Sequence, residues 1–227
     1  ANDRDLKKAQ ASGDMANAFL ERLRLNEKRI RQMVLLLKKL AKLKDPLGQV
    51  VERRVLRNKL RVEKVSRSLG VVFLIFESRP NVAVESFGLA IKTGNALILK
   101  GGRESRYTTE FLYRLMKQAL KKSGLSPSLL CVLRGTDRAA VKTLLSYNDL
   151  IDVVIPRGGE GLIRFVSSHT KIPVIKNDRG LCHTFIHREA DVEMAVRIVD
   201  NAKTQRPGVC NALETVLVDG PIAARFF

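Results

Sequence analysis

The chain has 227 residues, 45% of them hydrophobic, which predicts a globular protein of either one large domain or one and a half domains. No apolar run approaches the ~20 residues of a membrane span, and the charged N-terminus is unlike a signal peptide, so we expect a cytoplasmic location. Three widely spaced cysteines without a CxxC pair predict reduced thiols and neither a disulfide framework nor a metal site.

The first predicted element is a basic amphipathic helix over residues 27–43, with Asn26 as its N-cap. Residues 1–67 carry 19 Lys and Arg against 8 Asp and Glu. Such charge is typical of a solvated helix face, or of a surface that attracts phosphorylated ligands or nucleic acid. The absence of Trp and of any nucleic-acid-binding motif makes nucleic acid the least favoured partner.

The pattern then changes to short apolar strands that alternate with helices. Strands are predicted over residues 60–65, 71–76, 96–99, 129–133, 153–155 and 174–175, and helices over residues 82–93, 104–122, 139–146 and 160–168. This alternation predicts an α/β fold with a Rossmann-like, mostly parallel sheet and flanking helices. Ligands of such sheets bind at the carboxyl ends of the strands, so the loops that follow the strands are the candidate site.

The loop after the most apolar strand contains Arg79, Pro80 and Asn81. Asn81 has two readings: an N-cap of the following helix, or an amide donor to an oxyanion that forms on a substrate carbonyl.

Two further loops combine a cation with a pair of glycines before a helix. They are Lys100-Gly101-Gly102 and Arg157-Gly158-Gly159. Either glycine pair alone is weak evidence, because such turns are common for conformational reasons. Together in one sheet they favour a large anionic ligand such as a dinucleotide.

The candidate nucleophile is Cys210, which follows a Pro207-Gly208 turn and lies near Arg206. A thiol reacts as thiolate, a form that a nearby cation or a helix N-terminus favours. The alternative is a buried structural cysteine, which is the role predicted for Cys131 and Cys182 in their apolar surroundings.

Several motifs in order along the chain resemble the γ-glutamyl phosphate reductase family of the aldehyde dehydrogenase superfamily. The segments are IFESRPNVAVE (75–85), KTGNALILKGGRES (92–105), TDRAAVKTLL (136–145), YNDLIDVVIPRGGEGLIRFV (147–166) and NAKTQRPGVCNALET (201–215). The resemblance implies an aldehyde dehydrogenase-like fold and reduction of L-glutamyl 5-phosphate by NADPH to L-glutamate 5-semialdehyde and phosphate, in proline biosynthesis. It also implies a domain of residues 1–181 that binds NADP, and residues 182–227 as the beginning of an incomplete catalytic domain.

The same resemblance implies a role for each candidate residue. Cys210 is the catalytic nucleophile, and Asn81 with the Cys210 amide forms the oxyanion hole. Lys100 and Gly101 contact the adenosine ribose and its 2′-phosphate. Arg157, Gly158 and Gly159 lie near the pyrophosphate. Arg79 and Arg206 bind the substrate.

The family further implies glutamate 5-kinase as a partner and an oligomerisation segment that this sequence lacks. Two alternatives stay open: a dinucleotide-binding fragment without turnover, and a basic nucleic-acid-binding protein.

Overall fold

A computed structural model of the chain describes residues 1–11, 17–77, 79–135, 137–176, 180–207 and 209–227. Ser78, Thr136 and Gly208, which belong to the motifs above, lie outside these residues, as does Asn177. The chain divides into two compact units, Ala1–Lys176 and Asn177–Phe227. The domain boundary predicted at residue 181 lies close to this division and stays a prediction.

The first unit contains both sheets that precede the cysteine motif. Its helices are α1 (Asn2–Ala11), α2 (Asn17–Leu23), α3 (Glu27–Lys42), α4 (Asn81–Lys92), α5 (Arg106–Lys122), α6 (Arg138–Leu145) and α7 (Glu160–Ser168). Its strands are β1 (Val50–Val55), β2 (Arg61–Val65), β3 (Val71–Phe76), β4 (Ala96–Lys100), β5 (Leu130–Val132) and β6 (Val153–Arg157). A 3₁₀ turn, Arg103–Ser105, leads into α5, and another, Pro127–Leu129, leads into β5.

Four strands form one parallel sheet in the order β5-β4-β3-β6. The α/β fold class is therefore confirmed. The central strand β3 is apolar at every position because both of its faces are covered. Val72, Leu74 and Phe76 pack in a core cluster with α4 and α5, whereas Phe73 and Ile75 pack in a second cluster with α6 and α7.

Two predicted strands differ from the structure. The strand predicted at residues 60–65 is β2, which pairs antiparallel with β1 in a separate, fully exposed hairpin rather than in the parallel sheet. The strand predicted at 174–175 is only a bridge between Val174 and Val154. In α3 the predicted cap is confirmed, since Asn26 accepts a hydrogen bond from the Arg29 N–H, but Ile30 is 47% exposed.

The second unit is small and also α/β. It contains β7 (His183–Ile186), α8 (Val192–Thr204), β8 (Thr215–Val218) and α9 (Gly220–Phe226). Strands β7 and β8 pair in parallel, from His183 with Thr215 to Ile186 with Val218. The N-terminal ends of the two strands therefore lie together, directly after the segment that carries Cys210.

Candidate functional site

The carboxyl edge of the parallel sheet brings two of the predicted loops to the same strand. Ile75, near the end of β3, is in register with Lys100 on one side, and Phe76 is in register with Arg157 on the other. From β3 the chain continues to β4 and β5 on one side, and from β5 it returns across the sheet to β6 on the other side of β3, so the strand order reverses between β3 and β6. In open parallel sheets this reversal is where ligands bind.

Lys100 closes β4 and is half-buried, and its Nζ donates a hydrogen bond to the Gly101 carbonyl at 2.7 Å. Burial lowers the pKa of Lys100, because desolvation disfavours the ammonium, while the Glu104 carboxylate acts in the opposite direction. A Cβ at Gly101 would lie 3.1 Å from Phe76 Cζ and 3.2 Å from Thr109 Oγ1, which is tighter than ordinary contact. The loop thus passes close over the end of β3 only because residue 101 is glycine.

A cavity of about 320 Å³ opens beside this loop. It lies between the segments that follow β4 and β5 and the first turns of α5, with Tyr107 among its lining residues. Its volume falls at the lower end of the range for small-molecule sites. Three exposed arginines, Arg103, Arg106 and Arg134, line it, and Arg134 pairs with Glu110 at 3.1 Å. The cavity therefore suits a ligand fragment that carries negative charge.

A carboxylate of the chain itself lies at the second glycine loop. Arg157 ends β6 and is exposed, and Gly159 precedes α7. Glu77, the residue after β3, accepts a hydrogen bond from the Gly159 N–H through Oε2 at 3.0 Å. A Cβ at Gly158 would lie 2.4 Å from the same oxygen, so the carboxylate occupies the space that this glycine leaves open. The start of α7 thus already holds an anionic group.

Asn81 is the first residue of α4, and Pro80 takes the N-cap position, so the N-cap reading of Asn81 is wrong. Its half-buried side chain donates one Nδ2–H to Glu85 Oε1 at 2.7 Å. The amide carries a second hydrogen, which keeps a donor for another acceptor. Arg79 is half-buried one residue before Pro80, and its carbonyl accepts from the Val82 N–H.

Cys210 and Arg206 lie in the second unit, on the connection between α8 and β8, and both are exposed. The expectation of core positions for the other two cysteines is wrong. Cys131 is exposed because its strand, β5, lies at the edge of the sheet, and Cys182 is only half-buried. Cys182 instead contacts the candidate nucleophile, since its Sγ–H donates to the Cys210 carbonyl at 3.4 Å.

Within the residues that the structure describes, no group of three or more His, Cys, Asp or Glu could hold a metal ion. No helix of this described part is long and apolar enough to cross a membrane.

Sequence reasoning missed Glu77, Arg134 and Cys182 as parts of the site. Arg134 had a detectable signal, because it follows a predicted strand of a parallel sheet as Lys100 and Arg157 do. The positions of Glu77 and Cys182 depend on distant contacts, which no local pattern encodes. Glu77 contacts Gly159, which lies 82 positions later in the chain, and Cys182 contacts Cys210, which lies 28 positions later.

The chain is thus a parallel α/β protein with basic, glycine-containing loops at the carboxyl edge of its sheet and an exposed cysteine in a second unit. It belongs to the aldehyde dehydrogenase family, whose model matches residues 22–227.

Relatives place the resemblance within that family. The gamma-glutamyl phosphate reductase of Moorella thermoacetica is 48% identical over 226 residues, covering 100% of this chain and 54% of its own length. The crystal structure of gamma-glutamyl phosphate reductase from Thermotoga maritima is 39% identical with a TM-score of 0.90, covering 99% of this chain and 54% of that one. The chain therefore spans about half the length of the curated relatives it matches.

A more distant structure, a glyceraldehyde-3-phosphate dehydrogenase of Methanocaldococcus jannaschii complexed with NADP, shares the fold with a TM-score of 0.64 at 18% identity. The structural match covers 88% of this chain and 44% of the Methanocaldococcus jannaschii chain.

Proposed function

We propose that this chain provides the cofactor-binding and nucleophile-bearing parts of a reductase that converts L-glutamyl 5-phosphate to L-glutamate 5-semialdehyde and phosphate with NADPH. The observation that carries the proposal is the 48% identity to a gamma-glutamyl phosphate reductase along 100% of the chain. A biosynthetic role of this kind fits a cytoplasmic location.

Cys210 is the nucleophile of the proposed reaction. Its thiolate attacks the acyl phosphate carbonyl, a C–S bond forms, the C–O bond to phosphate breaks, and phosphate leaves, so that the acyl group is held as a thioester. The exposed position of Cys210 supports this role, because the sulfur is accessible to a substrate. The cofactor supplies the hydride that reduces the thioester.

Asn81 and the Cys210 amide form the proposed oxyanion hole, and Arg79 and Arg206 hold the phosphate or the α-carboxylate of the substrate. The second Nδ2–H of Asn81 supports its part, since Glu85 engages only one of the two. Guanidinium groups bind such anions through two parallel hydrogen bonds, which supports the arginines.

The proposed cofactor site is the carboxyl edge of the parallel sheet. Lys100 and Gly101 meet the adenosine ribose, and Arg157, Gly158 and Gly159 lie near the pyrophosphate. The preference for NADPH over NADH rests on the arginines around the 320 Å³ cavity, because a 2′-phosphate adds negative charge there. Replacing Arg103 and Arg134 by Gln should weaken NADPH binding at least tenfold and change NADH binding less than twofold. Equal losses for both nucleotides would contradict the assignment of the cavity.

The decisive assay is the reverse reaction, in which glutamate semialdehyde, phosphate and NADP⁺ yield NADPH. We expect phosphate-dependent absorbance at 340 nm that Cys210→Ala abolishes. Cys131→Ala is the matched control, since Cys131 is also an exposed free thiol but lies in the first unit. Activity that survives Cys210→Ala would refute the role of this cysteine.

Titration with NADPH separates the proposal from its alternatives. NADPH binding without turnover would favour a dinucleotide-binding module. The basic nucleic-acid-binding alternative instead predicts retention of DNA that falls steeply with salt and no preference for a nucleotide cofactor. Glutamate 5-kinase is retained as the proposed partner, because it makes the acyl phosphate that the reductase consumes.

A further inference from the structure

The backbone of Cys182 is hydrogen-bonded to the segment that follows Cys210 in the second unit. Its carbonyl accepts hydrogen bonds from the Glu214 N–H at 3.0 Å and the Thr215 N–H at 3.1 Å. Strand β7 begins at the next residue, His183, which is in register with Thr215. Because β7 and β8 are parallel, this pairing holds Cys182 at the end of the sheet that Cys210 approaches.

The side chain of Cys182 makes a second contact with the same segment. Its Sγ–H donates to the carbonyl oxygen of Cys210 at 3.4 Å. Adding the C=O and Cα–C bond lengths places that sulfur within about 6 Å of the Cys210 Cα. The contact therefore places the Cys182 sulfur beside the residue that carries the Cys210 sulfur. A disulfide also needs the two Cα atoms to lie roughly 4.4–6.8 Å apart, a requirement that the peptide mapping below tests directly.

The two thiols also differ in exposure. Cys210 is exposed, whereas Cys182 is half-buried. An oxidant in solution therefore reacts with the Cys210 thiol first. The thiol of Cys182 lies beside the oxidised Cys210 that results. Thiols that are exposed and beside a second thiol form disulfides through a sulfenic acid.

We propose that Cys182 is the resolving thiol of Cys210, so that peroxide converts the nucleophile into a reversible Cys182–Cys210 disulfide. The Cys210 thiolate attacks hydrogen peroxide, an S–O bond forms, the O–O bond breaks, and the released hydroxide takes a proton to give water. The Cys182 sulfur then attacks the sulfenic sulfur, the S–S bond forms, the S–O bond breaks, and hydroxide leaves with the Cys182 proton as a second water. Peroxide is the oxidant, and two thiols are oxidised to one disulfide.

The disulfide protects the nucleophile from irreversible oxidation. A sulfenic acid that finds no thiol proceeds to sulfinic and sulfonic acids, whereas a disulfide returns to two thiols with a dithiol reductant. The inference rests on the proposed function only in that Cys210 is the reactive nucleophile; formation of the disulfide is measured without any substrate.

Peptide mapping tests the inference on the intact 227-residue chain. The purified chain is treated with a small excess of hydrogen peroxide, alkylated and digested with trypsin without reduction. Cys182 falls in the peptide of residues 180–188, Cys210 in that of residues 204–225, and Cys131 in that of residues 123–134. We expect the first two peptides to appear linked and two hydrogens lighter than their sum, in more than half of the molecules, and to separate after dithiothreitol.

Cys182→Ser is the diagnostic variant, because its hydroxyl still donates to the Cys210 carbonyl but cannot form a disulfide. In this variant we expect dimedone, which traps sulfenic acids, to label Cys210 at least fivefold more than in the unsubstituted chain. Cys131→Ser is the control and should leave the linked peptide unchanged. Equal dimedone labelling of Cys210 with and without Cys182, and no linked peptide, would overturn the proposal.

The reverse assay on untreated protein keeps this result separate from the proposed function. A linked peptide in a chain without reductase activity would support the inference and count against the proposed reaction. An active chain without the linked peptide would support the proposed reaction and count against the disulfide.

Discussion

A buried carboxylate, Asp5, fastens the first helix to the start of α5, and its removal should destabilise the first unit. Asp5 is 2% exposed. Its carboxylate accepts from the Tyr107 N–H at 3.1 Å, from the Thr108 N–H at 2.7 Å and from the Thr108 hydroxyl at 2.6 Å. It therefore caps α5 from a helix that lies about a hundred residues earlier in the chain.

The magnitude follows from the groups that Asp5→Ala leaves behind. Loss of a cap costs about 0.5–2 kcal/mol, and each buried donor left without a partner costs about 1–3 kcal/mol. Asn2 Nδ2 donates to the Thr108 hydroxyl oxygen at 3.2 Å, but this contact offers no acceptor to the N–H and O–H donors of Thr108 that lose Asp5. Allowing for water that enters the space and accepts from some of these donors, we expect a loss of about 3 kcal/mol in the free energy of unfolding.

The assay uses an optical property of this sequence. The chain has no Trp and three Tyr, and these three, Tyr107, Tyr113 and Tyr147, all lie in the first unit. Tyrosine fluorescence during urea unfolding therefore reports the first unit alone. Asp3→Ala is the matched control, because Asp3 is an exposed carboxylate in the same turn of α1 and should change stability by less than about 0.5 kcal/mol. If the two variants unfolded at the same urea concentration, the capping argument would be refuted.

Two further predictions concern single carboxylates. Glu77→Gln keeps an acceptor for the Gly159 N–H but removes the negative charge from the start of α7, so NADPH should bind about two- to fivefold more tightly by calorimetric titration. Unchanged or weaker binding would contradict the placement of the pyrophosphate. The Asp219 pKa is held below its ordinary value, first by the hydrogen bond from Arg188 and also by its charge. This contribution to stability is therefore present above the unfolded-state pKa and lost as pH falls through the folded-state pKa. An NMR titration of the Asp219 carboxyl should give a midpoint that rises in Arg188→Gln, and a midpoint unmoved by that substitution would count against the ion pair.

The sequence predicted the parallel sheet because its signals are local. Strand β3 is apolar at six consecutive positions and was predicted with its observed bounds, as was α7. Gly94, the residue after the helix predicted over residues 82–93, adopts φ of +67°, a conformation that favours glycine. In each case the neighbouring residues alone carry the information.

The errors arise where burial depends on distant parts of the chain. Residues 61–65 have the composition of a strand, but their partner is β1 in a hairpin that is exposed on both faces. Cys131 lies between apolar neighbours, yet its strand is at the edge of the sheet, so the thiol faces solvent. The alternation of apolar and polar residues along a strand indicates which side chains share a face, but it does not indicate whether the strand lies at the edge of the sheet.

The contact between Glu77 and Gly159 gives the start of α7 an acceptor from the chain itself. Helix N-termini carry N–H groups that need an acceptor, and at α7 one of these is satisfied by Oε2 of Glu77 at 3.0 Å. A phosphate that bound at the same N–H would have to displace this carboxylate, since two anions repel each other at such a distance. We therefore expect Glu77 to lower the affinity of this edge for an anion. Removing its charge while retaining its hydrogen bond separates these two effects, which is why Glu77→Gln is more informative there than Glu77→Ala.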